Sequence, residues 1–193
     1  MLDSFKQLFL KTKQHRWDKE YRQGKWEFLH SLSELGHNSI LAGYARFLGA
    51  KSVLDVGCGN GHLSRLLSHI DFYAGIDISP VALAQLKKLM HGDFDYQLIE
   101  ANFDNFSPKN FKVDLVVFNE SLYYSKNPYK TLQSYAHVLN PEGRIAISMF
   151  ENSRASLVWE AVDKLFETID MTSVTLGDKT WVCRLLQPLT DPL

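Results

Sequence analysis

Two short runs, VDLVVFN at 113–119 and RIAISMF at 144–150, are apolar at nearly every position. A strand with one wet face alternates apolar and polar residues, so runs this continuous mark strands covered on both faces. Helical crossovers between parallel strands provide that cover. The remaining pattern supplies the alternation: SVLDV (52–56), FYAGIDI (72–78) and YQLIEA (96–101) read as further strands. Between them, HLSRLLSHI (62–70), PVALAQLKKLM (80–90) and PYKTLQSYAHVL (128–139) read as helices, Pro80 being suited to a first turn. The turn NPEG follows, and RASLVWEAVDKLFETI (154–169) has the pattern of one long amphipathic helix. SVTL (173–176), Gly177-Asp178 and TWVCRLL (180–186) then form a short antiparallel hairpin. The expected fold is a doubly wound α/β sheet of seven strands, mostly parallel, with an antiparallel last strand.

At 193 residues and 45% hydrophobic content, the chain suits one domain with a sizeable core. Residues 1–48 read as a helical lid, with Leu2, Phe5, Leu8 and Phe9 at helical spacing and a second helical run from Trp26 to Leu48. Residues 49–188 form the core, and 189–193 a frayed tail. A net charge of −1 creates no field for nucleic acid or an anionic membrane. Leu2 to Leu10, flanked by lysines, also has the composition of a membrane-surface helix, but core or lid packing is the preferred reading. Two distant cysteines and scattered histidines match no metal spacing. A charged N-terminus and no long apolar run lead to the expectation of a soluble, cytoplasmic protein.

VLDVGCGNGH, at 53–62, places Gly57, Gly59 and Gly61 straight after the first strand. Glycines there let a ligand approach the backbone, at the carboxyl ends of the strands where open α/β sheets bind ligands. Asp77 closes the second strand twenty residues after Gly57, well placed to accept both hydroxyls of an adenosine ribose. A dinucleotide fingerprint would put its third glycine one residue later, where His62 stands, and would not explain the acid Asp55 inside the strand.

D-x-G-x-G-x-G followed by an acid about twenty residues on resembles the class I S-adenosylmethionine-dependent methyltransferases, a Rossmann-like family. The resemblance runs roughly from Trp17 to Pro188. It implies that Asp55, Gly57, Cys58, Gly59 and Gly61 lie under the methionine and ribose of S-adenosylmethionine, with Asp77 on the ribose and Ile78 beside the adenine. Ala101-Asn102-Phe103 replaces the family's Gly-Asp-x, so that Asn102 would bond adenine and Phe103 cover it. Asn119 would meet the methionine end, with Glu120 to Tyr124 beside the acceptor. WDKEYRQGKW (17–26) resembles the opening of compact small-molecule methyltransferases, which puts Tyr21 and Trp26 over the methionine carboxylate or in the acceptor pocket. NESLYY (119–124) is similar to bacterial Nod-factor-type N-methyltransferases. The same aromatic residues also suit plain docking of the N-terminal helices.

A sulfonium methyl is already activated, so such an enzyme needs positioning, exclusion of water and, for a protonated acceptor, a base. Glu120 is the candidate base or acceptor orienter, with Tyr21 and Tyr124 as catalytic-side partners. The implied reaction is direct methyl transfer to an oxygen or nitrogen of a small molecule, leaving S-adenosylhomocysteine, without a metal. The alternative is a catalytically silent cofactor-binding scaffold or regulatory subunit, since the same glycines and Asp77 would serve it.

Overall fold

A computed structural model describes residues 2–90 and 94–189, with backbone alone for 2–10. Seven strands form one sheet in the order β3-β2-β1-β4-β5-β7-β6. Strands β1 (Ser52–Val56), β2 (Phe72–Asp77), β3 (Asp95–Glu100), β4 (Val113–Asn119) and β5 (Leu139–Phe150) run parallel. The long hairpin of β6 (Phe166–Leu176) and β7 (Lys179–Pro188) docks through β7, which is antiparallel to both β5 and β6.

The apolar runs have the expected cause. On β4, Val116 and Phe118 face one cluster with Leu54, Val56, Ile145 and Ile147, whereas Leu115 and Val117 face a second with Val53, Leu63 and Leu86. Helices α4 (Pro128–Ala136) and α5 (Ser153–Val162) cover the first face, while α2 (Leu32–Phe47) and α3 (Pro80–Lys87) cover the second. Each fully buried side chain of this size contributes about 1.5–3 kcal/mol. Capping follows the letters: Ser79 accepts from the Ala82 amide, and Asn127 from that of Lys130, each ahead of a first-turn proline.

Three local expectations are corrected. Residues 62–70 are a series of turns rather than a helix: Leu63, Leu67 and Ile70 remain buried, but Leu66 N–H bonds to Leu63 O, Ser64 Oγ donates to Gly61 O, and His69 adopts φ 64°. Side-chain bonding and a left-handed residue divert the backbone while the apolar spacing survives. The long helix expected to reach residue 169 ends at Val162, and 166–176 pair with β7. Ile169, Thr172, Val174 and Thr175 are β-branched and favour the strand once a partner edge is present. The run from Trp26 to Leu48 is broken at Ser31 between a 3-10 turn, Glu27–His30, and α2.

Helix α1 (Leu2–Arg22) ends before Gly24, whose φ is 67°. Its last turns lie over the carboxyl ends of β1 and β2: Ser79 Oγ donates to Asp18 at 2.5 Å, and Gln85 Nε2 to Tyr21 O at 3.4 Å. The side chains of 2–10, and residues 190–193 of the anticipated tail, lie outside the described residues. No helix among the described residues is long and apolar enough to cross a membrane.

Candidate active site

Because the strand order reverses between β1 and β4, the loops after these two strands diverge and leave a crevice. A cavity of about 330 Å³ occupies it, under α1 and beside α2. Every residue assigned from sequence except Gly61 lines this cavity: Tyr21, Trp26, Asp55, Gly57, Cys58, Gly59, Asp77, Ile78, Asn102, Phe103, Asn119, Glu120 and Tyr124. Gly61 instead packs against Leu86 at the base of the loop.

Gly57 and Gly59 have φ of 79° and 54°, the left-handed region that side chains resist. Space is equally restrictive: a Cβ at Gly57 would meet Ser121 Cβ at 2.5 Å, and one at Gly59 the Tyr21 hydroxyl at 2.6 Å. Asp77 braces this loop from β2, accepting from Gly59 N–H at 2.9 Å and Ser79 N–H at 2.8 Å. Burial pushes its carboxyl up to about 6 against these backbone bonds. Asp55 is buried too; it accepts from the Tyr73 hydroxyl at 2.9 Å and is pushed up to about 7, chiefly by burial. Cys58 is a buried thiol raised well above its usual range by burial, with its sulfur against the Gly75 backbone; it is a packing group.

Phe103 meets Phe118 edge-on at 6.5 Å, and Asn102 turns its Oδ1 back onto the Asp104 amide. Trp17 lies 5.3 Å from Trp26 and 5.1 Å from Tyr124, and Tyr21 lies 6.3 Å from Trp26, ring centre to ring centre. The sequence segment 17–26 and the tyrosines after β4 thus form one aromatic wall.

The far end of the cavity is built by residues that the sequence did not single out. Glu34, His37 and Asn38 of α2 line it, with Phe150 and Trp181. His37 stacks on Trp181 at 5.2 Å; its Nε2 is 3.1 Å from Glu34 Oε2, and its Nδ1 is 3.1 Å from Ser148 Oγ. Ser148 Oγ is in turn 3.4 Å from Glu120 Oε1, and the Tyr123 hydroxyl donates to Glu120 Oε2 at 3.0 Å. Asn119 Nδ2 donates to Asn38 Oδ1 at 2.7 Å. Burial keeps His37 neutral by lowering its pKa, and burial pushes Glu120 up to about 8 despite the Tyr123 bond. Glu120 also holds φ 54°, a backbone conformation strained for a residue with a Cβ. Polar residues at 34, 37 and 38 have the spacing of a solvated helix stripe, which is why sequence pattern alone passes over them.

Five buried polar atoms of cavity-lining residues have no protein partner: Trp26 Nε1, Asp55 Oδ1, His62 Nε2, Asn102 Nδ2 and Asn119 Oδ1. Such groups cost free energy unless a ligand or water completes them. Their chemistry, three nitrogens and two oxygens around a glycine loop, fits a ligand with polar atoms along its whole length. Among the described residues no cluster of three or more His, Cys, Asp or Glu side chains has metal-binding proximity.

The model of a methyltransferase domain matches residues 49–183. The chain belongs to the methyltransferase domain family. Trans-aconitate 2-methyltransferase of Escherichia fergusonii is 33% identical over 129 residues, 65% of this chain and 50% of that protein. The chain therefore spans about half the length of the curated relatives it matches. Two solved structures share the domain's fold. Magnesium protoporphyrin IX methyltransferase from Synechocystis, with bound S-adenosylhomocysteine, has a TM-score of 0.72 at 12% identity over 92% of this chain and 98% of that one. The N-methyltransferase NodS from Bradyrhizobium japonicum, also in complex with S-adenosylhomocysteine, has a TM-score of 0.64 at 14% identity over 77% and 86%.

Proposed function

We propose that this chain is an S-adenosylmethionine-dependent methyltransferase that methylates an oxygen or nitrogen of a small molecule. The observation carrying this reading is the row of unpartnered polar atoms along a cavity floored by the positive-φ glycine loop. In this reading Asp77 holds the ribose while bracing Gly59, and Ile78, Asn102 and Phe103 surround the adenine. Gly57, Cys58 and Gly59 shape the floor with Asp55, Gly61 seats the loop against Leu86, Asn119 Oδ1 accepts from the ammonium, and Trp26 Nε1 donates to the carboxylate. S-adenosylmethionine supplies an activated methyl on a sulfonium, so the chain needs no nucleophile of its own. Tyr21, Trp26 and Tyr124 exclude water, a condition for positioning effects worth about 7–11 kcal/mol in favourable cases. Glu120, at the end of β4, orients the acceptor and accepts its proton. The relatives' trans-aconitate is one candidate acceptor for a screen.

Thermal unfolding with S-adenosylmethionine, S-adenosylhomocysteine and NAD in parallel tests the cofactor. At 100 times its Kd a ligand adds about 2.7 kcal/mol, which raises Tm by roughly 5–10 °C for a chain of this size. A rise with both sulfur nucleotides and none with NAD supports the reading. A rise with NAD alone, or with none of the three, refutes it.

A further inference from the structure

The two ends of the cavity differ in kind. Toward Phe103 and Asp77 it offers a mixture of donors and acceptors, and Lys13 stands there, 6.0 Å from the Phe103 ring centre. Around Glu120 the groups facing inward are acceptors and rings: the carboxyls of Glu34 and Glu120, and Phe150, Trp181 and Tyr123. Several donors at that end are already engaged. Tyr123 OH donates to Glu120, Asn119 Nδ2 to Asn38, and His37 has both ring nitrogens engaged. No arginine lines the cavity among the described residues, and Lys179 sits exposed at its rim. A carboxylate or phosphate acceptor needs cations or free N–H donors, whereas a cation is recognised by carboxylates and aromatic faces.

We propose that the acceptor is an amine, seated as its ammonium ion between Glu120 and the rings of Phe150, Trp181 and Tyr123, and that its proton passes to Glu120. This deepens the methyltransferase reading and rests on it. In that step a nitrogen–hydrogen bond breaks and an oxygen–hydrogen bond forms on Glu120, and the freed electron pair stays on nitrogen as the lone pair needed for attack.

The hydrogen-bond chain behind Glu120 has the polarity this requires. Neutral His37, donating from Nε2 to the Glu34 carboxyl, accepts at Nδ1 from the single hydrogen of Ser148. Ser148 is then free to accept from a protonated Glu120 at Oε1. A protonated Glu120 therefore completes a one-directional chain to Glu34. An ionised one turns the Ser148 hydroxyl away from His37 and leaves Nδ1 without a donor. The titratable groups facing Glu120 are Glu34 and His37 from α2, Tyr123 and Tyr124 from the turn after β4, and Cys183 from β7. None of these is a cation at neutral pH and Lys179 of the lining is exposed to solvent, so an ammonium ion seated beside Glu120 would favour the ionised carboxylate.

Isothermal titration of the full chain, saturated with S-adenosylhomocysteine, tests this with tetramethylammonium, its neutral counterpart tert-butanol, and trans-aconitate. Tetramethylammonium carries no titratable proton, so any proton released on binding at pH 7 comes from the protein; two buffers of different ionisation enthalpy measure it. The proposal expects tetramethylammonium to bind about tenfold or more tightly than tert-butanol, with proton release that disappears in Glu120→Gln. Glu34→Gln, at the far end of the chain, is expected to weaken the cation by a smaller factor. Equal binding of cation and neutral probe, tighter binding of trans-aconitate, or proton release unchanged in Glu120→Gln overturns it. Saturation by S-adenosylhomocysteine without cation binding sinks the amine proposal and leaves the methyltransferase reading standing. Failure of S-adenosylhomocysteine to bind removes both.

Discussion

Replacing Glu120 by Gln should make the protein more stable at alkaline pH while abolishing its role at the acceptor. Burial penalises the charge of the wild-type carboxyl and pushes it up to about 8 in the folded chain, against an ordinary 4.5. The sign follows from the direction of the shift. Below pH 4.5 the group is protonated in both states, and the hydrogen-bonded carboxyl contributes fully. As pH rises, the unfolded chain releases its proton first, so stability falls until the folded carboxyl also ionises near pH 8. At about 1.4 kcal/mol per unit, the whole shift corresponds to on the order of 5 kcal/mol, of which roughly 3–4 is lost between pH 5 and 8. Gln is isosteric with the protonated acid, accepts from Tyr123 and donates to Ser148, and does not titrate. Urea denaturation at pH 5, 6, 7 and 8 should therefore give variant and wild type similar stabilities at pH 5. The curves should then diverge steadily, Gln ahead by roughly 3 kcal/mol at pH 8. Asp55 and Asp77, also raised, slope both curves alike and cancel in the difference. Parallel curves would refute the reasoning, because they would mean that Glu120 is hydrated in the folded chain.

Gly59→Ala drives a methyl into the Tyr21 hydroxyl and holds alanine at φ 54°, which should cost about 2–4 kcal/mol. In the double variant with Tyr21→Phe the nearest remaining ring atom is 3.7 Å away, so part of that loss should be recovered; strict additivity in urea denaturation would contradict the contact. Asp77→Asn keeps only one acceptor for the Gly59 and Ser79 amides, and should lower stability by about 1–2 kcal/mol and S-adenosylhomocysteine affinity by at least about tenfold in titration calorimetry. Phe118→Ala empties a fully buried site beneath Phe103 and Tyr135 and should cost about 3–5 kcal/mol, read from the shift in urea midpoint.

The order of residues alone specifies the sheet and the floor of the site. The apolar runs of β4 and β5 required helices on both faces, and those helices required parallel strands; local pattern and global fold agree there because burial on two faces leaves one solution. The glycines were legible for a similar reason, since nothing but a left-handed backbone or a close approach calls for them after a buried strand. Tertiary structure decided where local preference was nearly balanced. Residues 166–169 carry helix-compatible letters, yet the free edge of β7 pairs them as a strand. Residues 62–70 keep helical burial without helical hydrogen bonds, because a left-handed His69 and the Ser64 side chain claim the backbone. The acceptor end was hidden for a different reason. Glu34 and His37 come from α2, Glu120 from the end of β4, Ser148 from β5 and Trp181 from β7, and a polar stripe on a helix has the same spacing whether it faces water or a buried carboxyl. Only the packing of α2 against β4, β5 and β7 turns that stripe inward and gives Glu120 its chemistry.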